Sequence, residues 1–256
     1  MKARRKYQKP PIIEALCEFN FEPGQLWDGT LPGLLYNEVK EDFPKRQPET
    51  IVQLGIQIMG QNPPGSAAVP APSIAAPQAF TRLRFLSEDE RAMVQIGPDL
   101  LAINRLRPYS SWNDFKPLVL RVLTKYQKVA RPKGIRRIGV RYINRIEIPL
   151  SEVKVDDYLV AFPNLPDALP QRINVWVQRS EIPFDSEGTL IIQTGSVREA
   201  GLSGIAFLLD LDFVISGESF ALEVADDKIE MAHEKVELAF EECITDKSRK
   251  LFEEVH

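Results

Sequence analysis

Asp226-Asp-Lys-Ile-Glu-Met-Ala-His-Glu-Lys-Val-Glu-Leu-Ala-Phe-Glu-Glu-Cys-Ile-Thr-Asp-Lys-Ser-Arg-Lys-Leu-Phe252 decides the reading of this chain. Apolar side chains recur at Ile229, Ala232, Val236, Phe240, Cys243, Leu251 and Phe252, with charged residues between them. Spacings of three and four residues predict one amphipathic helix with a single buried stripe. A helix of about 25 residues is about 37 Å long. It needs a sheet that spans the molecule, and the residues before it supply one.

Working backwards, 204–216 alternates as a strand. Phe207, Leu209, Leu211, Phe213 and Ile215 lie on one side, Asp210 and Asp212 on the other. Strands are also predicted at 188–197, 171–182 and 135–148, a short helix at 151–162, and the closing helix from Ser219 to Phe252. Residues 135–252 therefore read β-α-β-β-β-α. Residues 10–130 read the same way: strand 12–21, a helix through Trp27–Phe43, strands 50–59, 79–87 and 91–107, and a helix opened by Ser110-Ser111. Gly97-Pro98 is read as a kink or bulge inside 91–107. The expected fold is α+β, two such halves (10–130 and 131–256) sharing a mostly antiparallel curved sheet with the long helices on one face. Residues 1–9 are expected to be a mobile basic arm. Residues 60–77, with five prolines and no periodicity, read as a loop inserted between two strands.

The composition is that of a globular protein, 44% hydrophobic and 27% charged. No apolar run approaches the roughly 18 residues that span a bilayer, and no signal-like segment precedes Glu14, so a cytoplasmic protein without membrane contact is expected. Cys17 and Cys243 both fall on apolar stripes and read as small buried hydrophobes. The net charge of −4 hides a division. Residues 78–145 hold 15 basic and 5 acidic side chains, whereas 146–256 hold 9 and 23. Such polarity suggests a protein partner or a second copy, with nucleic acid as the other candidate.

Two stretches resemble a known family. Pro10-Pro-Ile-Ile-Glu-Ala-Leu-Cys-Glu-Phe-Asn-Phe21 opens the globular part, and Ala232-His-Glu-Lys-Val-Glu-Leu-Ala-Phe-Glu-Glu-Cys-Ile-Thr-Asp246 lies near its end. Together they resemble a sporadically distributed, uncharacterised family of bacterial and archaeal proteins with a similar Pro-Pro-Ile-Val-Glu-Ala strand and closing helix. The resemblance covers the two ends and implies no catalytic residue.

No catalytic motif is present. Asp210 and Asp212, about 7 Å apart along one side of a strand, could serve a divalent metal or acid–base pair. With no histidine cluster beside them, a solvated face explains them as well. His233 sits at the edge of the helical stripe, where a single structural hydrogen bond is the ordinary role. Nothing calls for a cofactor. The strongest binding candidates are Arg82, Arg84, Arg137, Arg141 and Arg145, which alternate with apolar residues and should share the open face of the sheet. They could meet phosphates or pair with carboxylates. Trp176 falls on the polar side of its segment and reads either as an interface anchor or as a residue packed under a loop. The leading expectation is a non-enzymatic binding protein working through that open face. The alternative is a small-ligand binder with a cavity between the closing helix and the sheet.

Overall fold

The computed structural model describes residues 5–22, 29–53, 78–150, 152–170, 173, 175–197 and 204–255. Its strands are β1 (Lys6–Tyr7), β2 (Ile12–Phe21), β3 (Lys45–Gln53), β4 (Gln78–Leu86), β5 (Ala92–Gly97), β6 (Leu100–Leu106), β7 (Ile135–Ile148), β8 (Val177–Phe184), β9 (Gly188–Val197), β10 (Ile205–Phe220) and β11 (Glu254–Val255). The helices are α1 (Leu31–Val39), α2 (Trp112–Ala130), α3 (Ala225–Cys243) and α4 (Asp246–Phe252). Nine strands form one antiparallel sheet in the order β3-β4-β5-β6-β2-β7-β10-β9-β8, and β1 pairs with β11 in a separate ribbon. The fold is α+β.

Register explains the layering. Phe85, Val94, Ile103, Cys17, Val140, Phe213 and Leu190 lie side by side across seven strands, and all are buried. This row belongs to the face that the helices cover. Helix α3 lies against β7 and β10, α2 against β6, and α1 against α2. Tyr126 of α2 stacks on Phe21 at 4.6 Å between ring centroids. One residue along, Met93, Asn104, Leu16, Arg141, Asp212, Ile191 and Glu181 form the neighbouring row, on the opposite face.

Several expected elements differ. Residues 91–107 are two strands, not one: Pro98 and Asp99, with Asp99 at φ +53°, make the turn of a β5–β6 hairpin. The first part of the chain therefore holds one strand more than the β-α-β-β-β-α reading. Pro48 lies inside β3, tolerated because β3 is a terminal strand of the sheet. Between 151 and 162 there is only a single 3-10 turn, Val155–Asp157. β8 starts at Val177 rather than 171. Helix α1 spans only Leu31–Val39, and Trp27 and the 60–77 loop lie outside the described residues. Pro117 falls in the second turn of α2, whose N-cap Ser111 accepts a bond from the Asp114 amide.

The closing helix is two helices. Ile244 is extended and bridges Leu159, while the Cys243 carbonyl accepts a bond from Val160 N and Thr245 N donates to Tyr158 O. Thr245 then caps α4 by accepting from Ser248 N. Those bonds to 158–160 replace the helical ones, so the break is built in. Most of the predicted stripe is buried: Ile229, Ala232, Val236, Cys243 and Phe252 are, whereas Phe240 and Leu251 are half-buried.

The described part of the N-terminal arm is held in place. Gln8 N and Lys9 N donate to the carbonyls of Glu253 and Phe252, each at 2.9 Å. The Tyr7 ring meets Phe240 and Phe252 edge-on, and its hydroxyl donates to Glu241 at 2.7 Å. Residues 5–9 thus form a strap over the C-terminal end of the chain.

Candidate functional site

Arg82, Arg84, Arg137, Arg141 and Arg145 do share one face, the one away from the helices. Strand register decides what they meet there. Arg141 lies beside Asp212 across β7–β10, and its guanidinium grips Asp210 with two bonds, 2.7 Å from Nε and 2.5 Å from Nη2. Arg137 donates to Glu18 at 2.6 Å and lies 3.6 Å from Asp212. Arg82 stands 4.0 Å from the other Glu18 oxygen, and Arg145 is 3.1 Å from Glu147. The arginines of the basic segment and the carboxylates of β2 and β10 interleave as neighbouring side chains. The face is a lattice of opposite charges rather than a positive surface.

Trp176 is not with them. It precedes β8, is only 7% exposed and packs against Phe207, whose ring is 6.4 Å away. Its carbonyl accepts from Ser196 N at 3.1 Å, which extends the Ser196–Phe207 row and turns the indole toward the helix-covered face. Val175 and Val177 take the exposed positions instead. The expected open-face placement of Trp176 is corrected: it shares a side with Gln178, as alternation requires, but at this sheet edge that polar side is the helix-covered one.

Asp210 and Asp212 are engaged separately, one by Arg141 and the other beside Arg137. Burial pushes the Asp212 carboxyl up to about 6, against the opposing pull of Arg137 and Arg141. Among the described residues no cluster of three or more His, Cys, Asp or Glu is placed to hold a metal ion.

The other face carries a concave site. A cavity of about 560 Å³ opens beneath α3, in the size range of small-molecule sites. Tyr7 of the strap and Pro10–Ile12 after it form one wall, Tyr109–Asn113 at the start of α2 a second, and His233, Val236, Glu237 and Phe240 of α3 a third. Tyr142 and Asn144 of β7 make the floor.

Three polar side chains from distant parts of the chain join there. The Tyr109 and Tyr142 hydroxyls are 3.0 Å apart, and the Tyr142 hydroxyl is 3.1 Å from Nδ1 of His233. The imidazole stacks on Trp112 with centroids 4.2 Å apart, and the indole N–H donates to Glu230 at 2.9 Å. Glu230 also takes Lys116 at 2.7 Å. Burial raises both phenols well above their ordinary range, so each stays a neutral donor–acceptor at physiological pH. The chain can run in either sense. If Tyr142 donates to His233, its oxygen accepts from Tyr109; if the imidazole donates, the Tyr109 proton is left for another acceptor.

Asn144 completes the floor. It is 1% exposed, and its Nδ2 donates to the carbonyls of Leu209 (3.0 Å) and Tyr142 (3.3 Å). Those two bonds fix the amide orientation, and the buried Oδ1 accepts nothing from the protein. Sequence reasoning missed this residue although a signal was there. It interrupts the helix-facing row Ile138, Val140, Tyr142, Ile146, Ile148 with an amide. Nothing local marks Tyr109, which reaches the site only through the tertiary fold.

No protein-family model matches the chain, and no curated protein matches it. No described helix is long and apolar enough to cross a membrane.

Proposed function

We propose that this protein binds a small molecule in the cavity between α3 and the sheet. The observation that carries the reading is the floor: a hydrogen-bonded chain, Tyr109–Tyr142–His233, whose three residues line one cavity with aromatic walls. Polar groups buried in an apolar wall cost stability unless satisfied, and a binding site is a common reason to keep them. The cavity lies at the β2–β7 seam. We read that seam as the join of two related halves, the first enlarged by the extra β5–β6 strand.

The test uses the metabolite fraction below about 1 kDa from a cell lysate. It should raise the melting temperature of the wild-type protein and change the fluorescence of Trp112, which lines the site. Glu237→Trp, placed at the cavity wall, should abolish both effects. A fraction without effect on the wild type, or with an equal effect on the variant, rejects the reading.

A second reading, a protein partner or a second copy, has one observation in its favour. β8 ends the sheet, and Val177 is 73% exposed beside Val175 at 56%. The arginine face supports a nucleic-acid partner less well, because cations already held by carboxylates displace few counterions on binding phosphate.

A further inference from the structure

We infer that two copies of this chain pair antiparallel through the edge strand β8, about a two-fold axis at Ser180, and continue one sheet across both. This commits the second reading above to one partner and one register. It does not depend on what the cavity holds.

The first support is an open row of main-chain groups. β8 ends the nine-stranded sheet, and β9 is the only strand paired with it among the described residues. One step before the Val177–Gly195 pair, Ser196 N donates to the Trp176 carbonyl. Bonded and non-bonded pairs alternate along an antiparallel ladder, so Gln178, Ser180, Ile182 and Phe184 also bond to β9. Val177, Arg179, Glu181 and Pro183 then turn their main-chain groups outward, and no main-chain bond among the described residues takes them. Pro183 falls at an outward position, where its missing N–H costs the β9 ladder nothing.

The second support is charge. Arg179 and Glu181 stand on the side away from the helices, their side chains 50% and 58% exposed, and bond each other at 2.7 Å within the strand. Centring the axis on Ser180 puts Arg179 opposite the partner's Glu181, and Glu181 opposite the partner's Arg179. The charges then close into a cluster of alternating sign. Centring the axis one residue either way sets Arg179 against its own copy, or Glu181 against its own copy, and like charges directly opposite repel. Moving it two residues, to Gln178 or Ile182, shortens the ladder and parts the opposite charges. The edge is thus complementary to itself in one register, and in that register Val177–Pro183 is paired throughout.

The third support is apolar surface. Val177 is 73% exposed in a single copy. In this register it lies against the partner's Pro183, and its N–H meets the outward carbonyl of that proline. Both ends of the ladder gain an apolar contact in this way.

A one-strand interface is small, so the association should be weak and is followed by sedimentation velocity from about 5 to 300 µM protein. The wild type should pass from monomer to dimer over that range. Arg179→Glu and Glu181→Arg, each checked for fold by circular dichroism, should each dimerise at least about tenfold less tightly. An equimolar mixture of the two variants should dimerise again, because the acidic edge of one then faces the basic edge of the other. A wild type that stays monomeric to the highest concentration overturns the pairing and leaves β8 without a second copy as its partner. Single variants that dimerise like the wild type would place any interface elsewhere. A mixture that stays monomeric would overturn the Ser180 register while leaving association through β8 intact.

Discussion

The Tyr142 hydroxyl lies 3.1 Å from Nδ1 of His233, joining the central strand β7 to the closing helix α3 across 91 positions of sequence. The same hydroxyl meets Tyr109 at 3.0 Å, so one oxygen ties three segments together beneath the cavity. A buried phenol placed this way helps fix where α3 sits over the sheet, because sliding the helix by one residue would break the Tyr142–His233 bond together with the bonds of Trp112 and Lys116 to Glu230.

Tyr142→Phe removes that oxygen and little else. It should lower stability by about 1–3 kcal/mol, the cost of leaving buried partners unsatisfied. Tyr109→Phe removes one contact, and in the double variant the two losses should fall short of additive. Urea unfolding of the two single variants and the double variant measures the coupling. Strict additivity would mean that the chain does not act as a unit.

Ile229 and Leu238 test the face of α3. Ile229 is fully buried, whereas Leu238 is 53% exposed. Ile229→Ala should cost about 2–5 kcal/mol and Leu238→Ala under about 0.5 kcal/mol. Similar shifts of the unfolding midpoint would refute the orientation of the helix.

Much of this helix was legible in the sequence, since its three- and four-residue spacing depends only on one buried stripe. So was the alternation of β7 and β10, where one face is apolar and the other charged. The β5–β6 hairpin was not. Every residue of β5 is buried, as are the first five of β6, so no polar beat marks where one strand stops and the next begins. The break at Ile244 depends on bonds to residues 158–160, which spacing along the helix cannot reveal. Trp176 was misplaced because the polar side of its segment, which also holds Gln178, is the helix-covered side while Val175 and Val177 face out, and spacing alone does not say which side is covered. The arginine face was placed correctly as a face. Its pairing with Glu18 and Asp210 is set by strand register, which needs the sheet order. The cavity draws on residues near 7, 109, 142 and 233, so only the assembled fold brings it into view.

Asp212 should give stability an unusual pH dependence. Its carboxyl is pushed up to about 6 by burial, above the ordinary unfolded value near 3.9. The folded state then holds this proton more tightly than the unfolded chain, so this residue's contribution improves as pH falls through 6 and levels off near 4. At pH 7.5 the ionised group costs up to about 3 kcal/mol. Relative to Asp212→Asn, the wild type should therefore gain stability between pH 7.5 and pH 4.5 in urea titrations. A relative loss on acidification would show that attraction to Arg137 outweighs burial.

Arg141 and Asp210 test what the charged face is for. Asp210 is 5% exposed and its carboxylate is held by both arms of the Arg141 guanidinium. Removing the arginine alone strands a buried charge. Arg141→Met should cost about 2–4 kcal/mol, a little below the range for a fully buried pair because the arginine is half-exposed. Removing both charges, as Arg141→Met with Asp210→Asn, should recover a large part of that loss, since the amide needs no counter-charge. A charge lattice that serves the fold predicts this rescue in denaturant titrations, and it also predicts that the single variant loses stability in high salt as well as in low, because a partly buried pair is weakly screened. If Arg141→Met unfolds like the wild type and instead loses binding to a single-stranded oligonucleotide at about 50 mM salt, the arginines belong to a partner surface. The second reading of function would then gain the support that the pairing of these side chains now withholds from it.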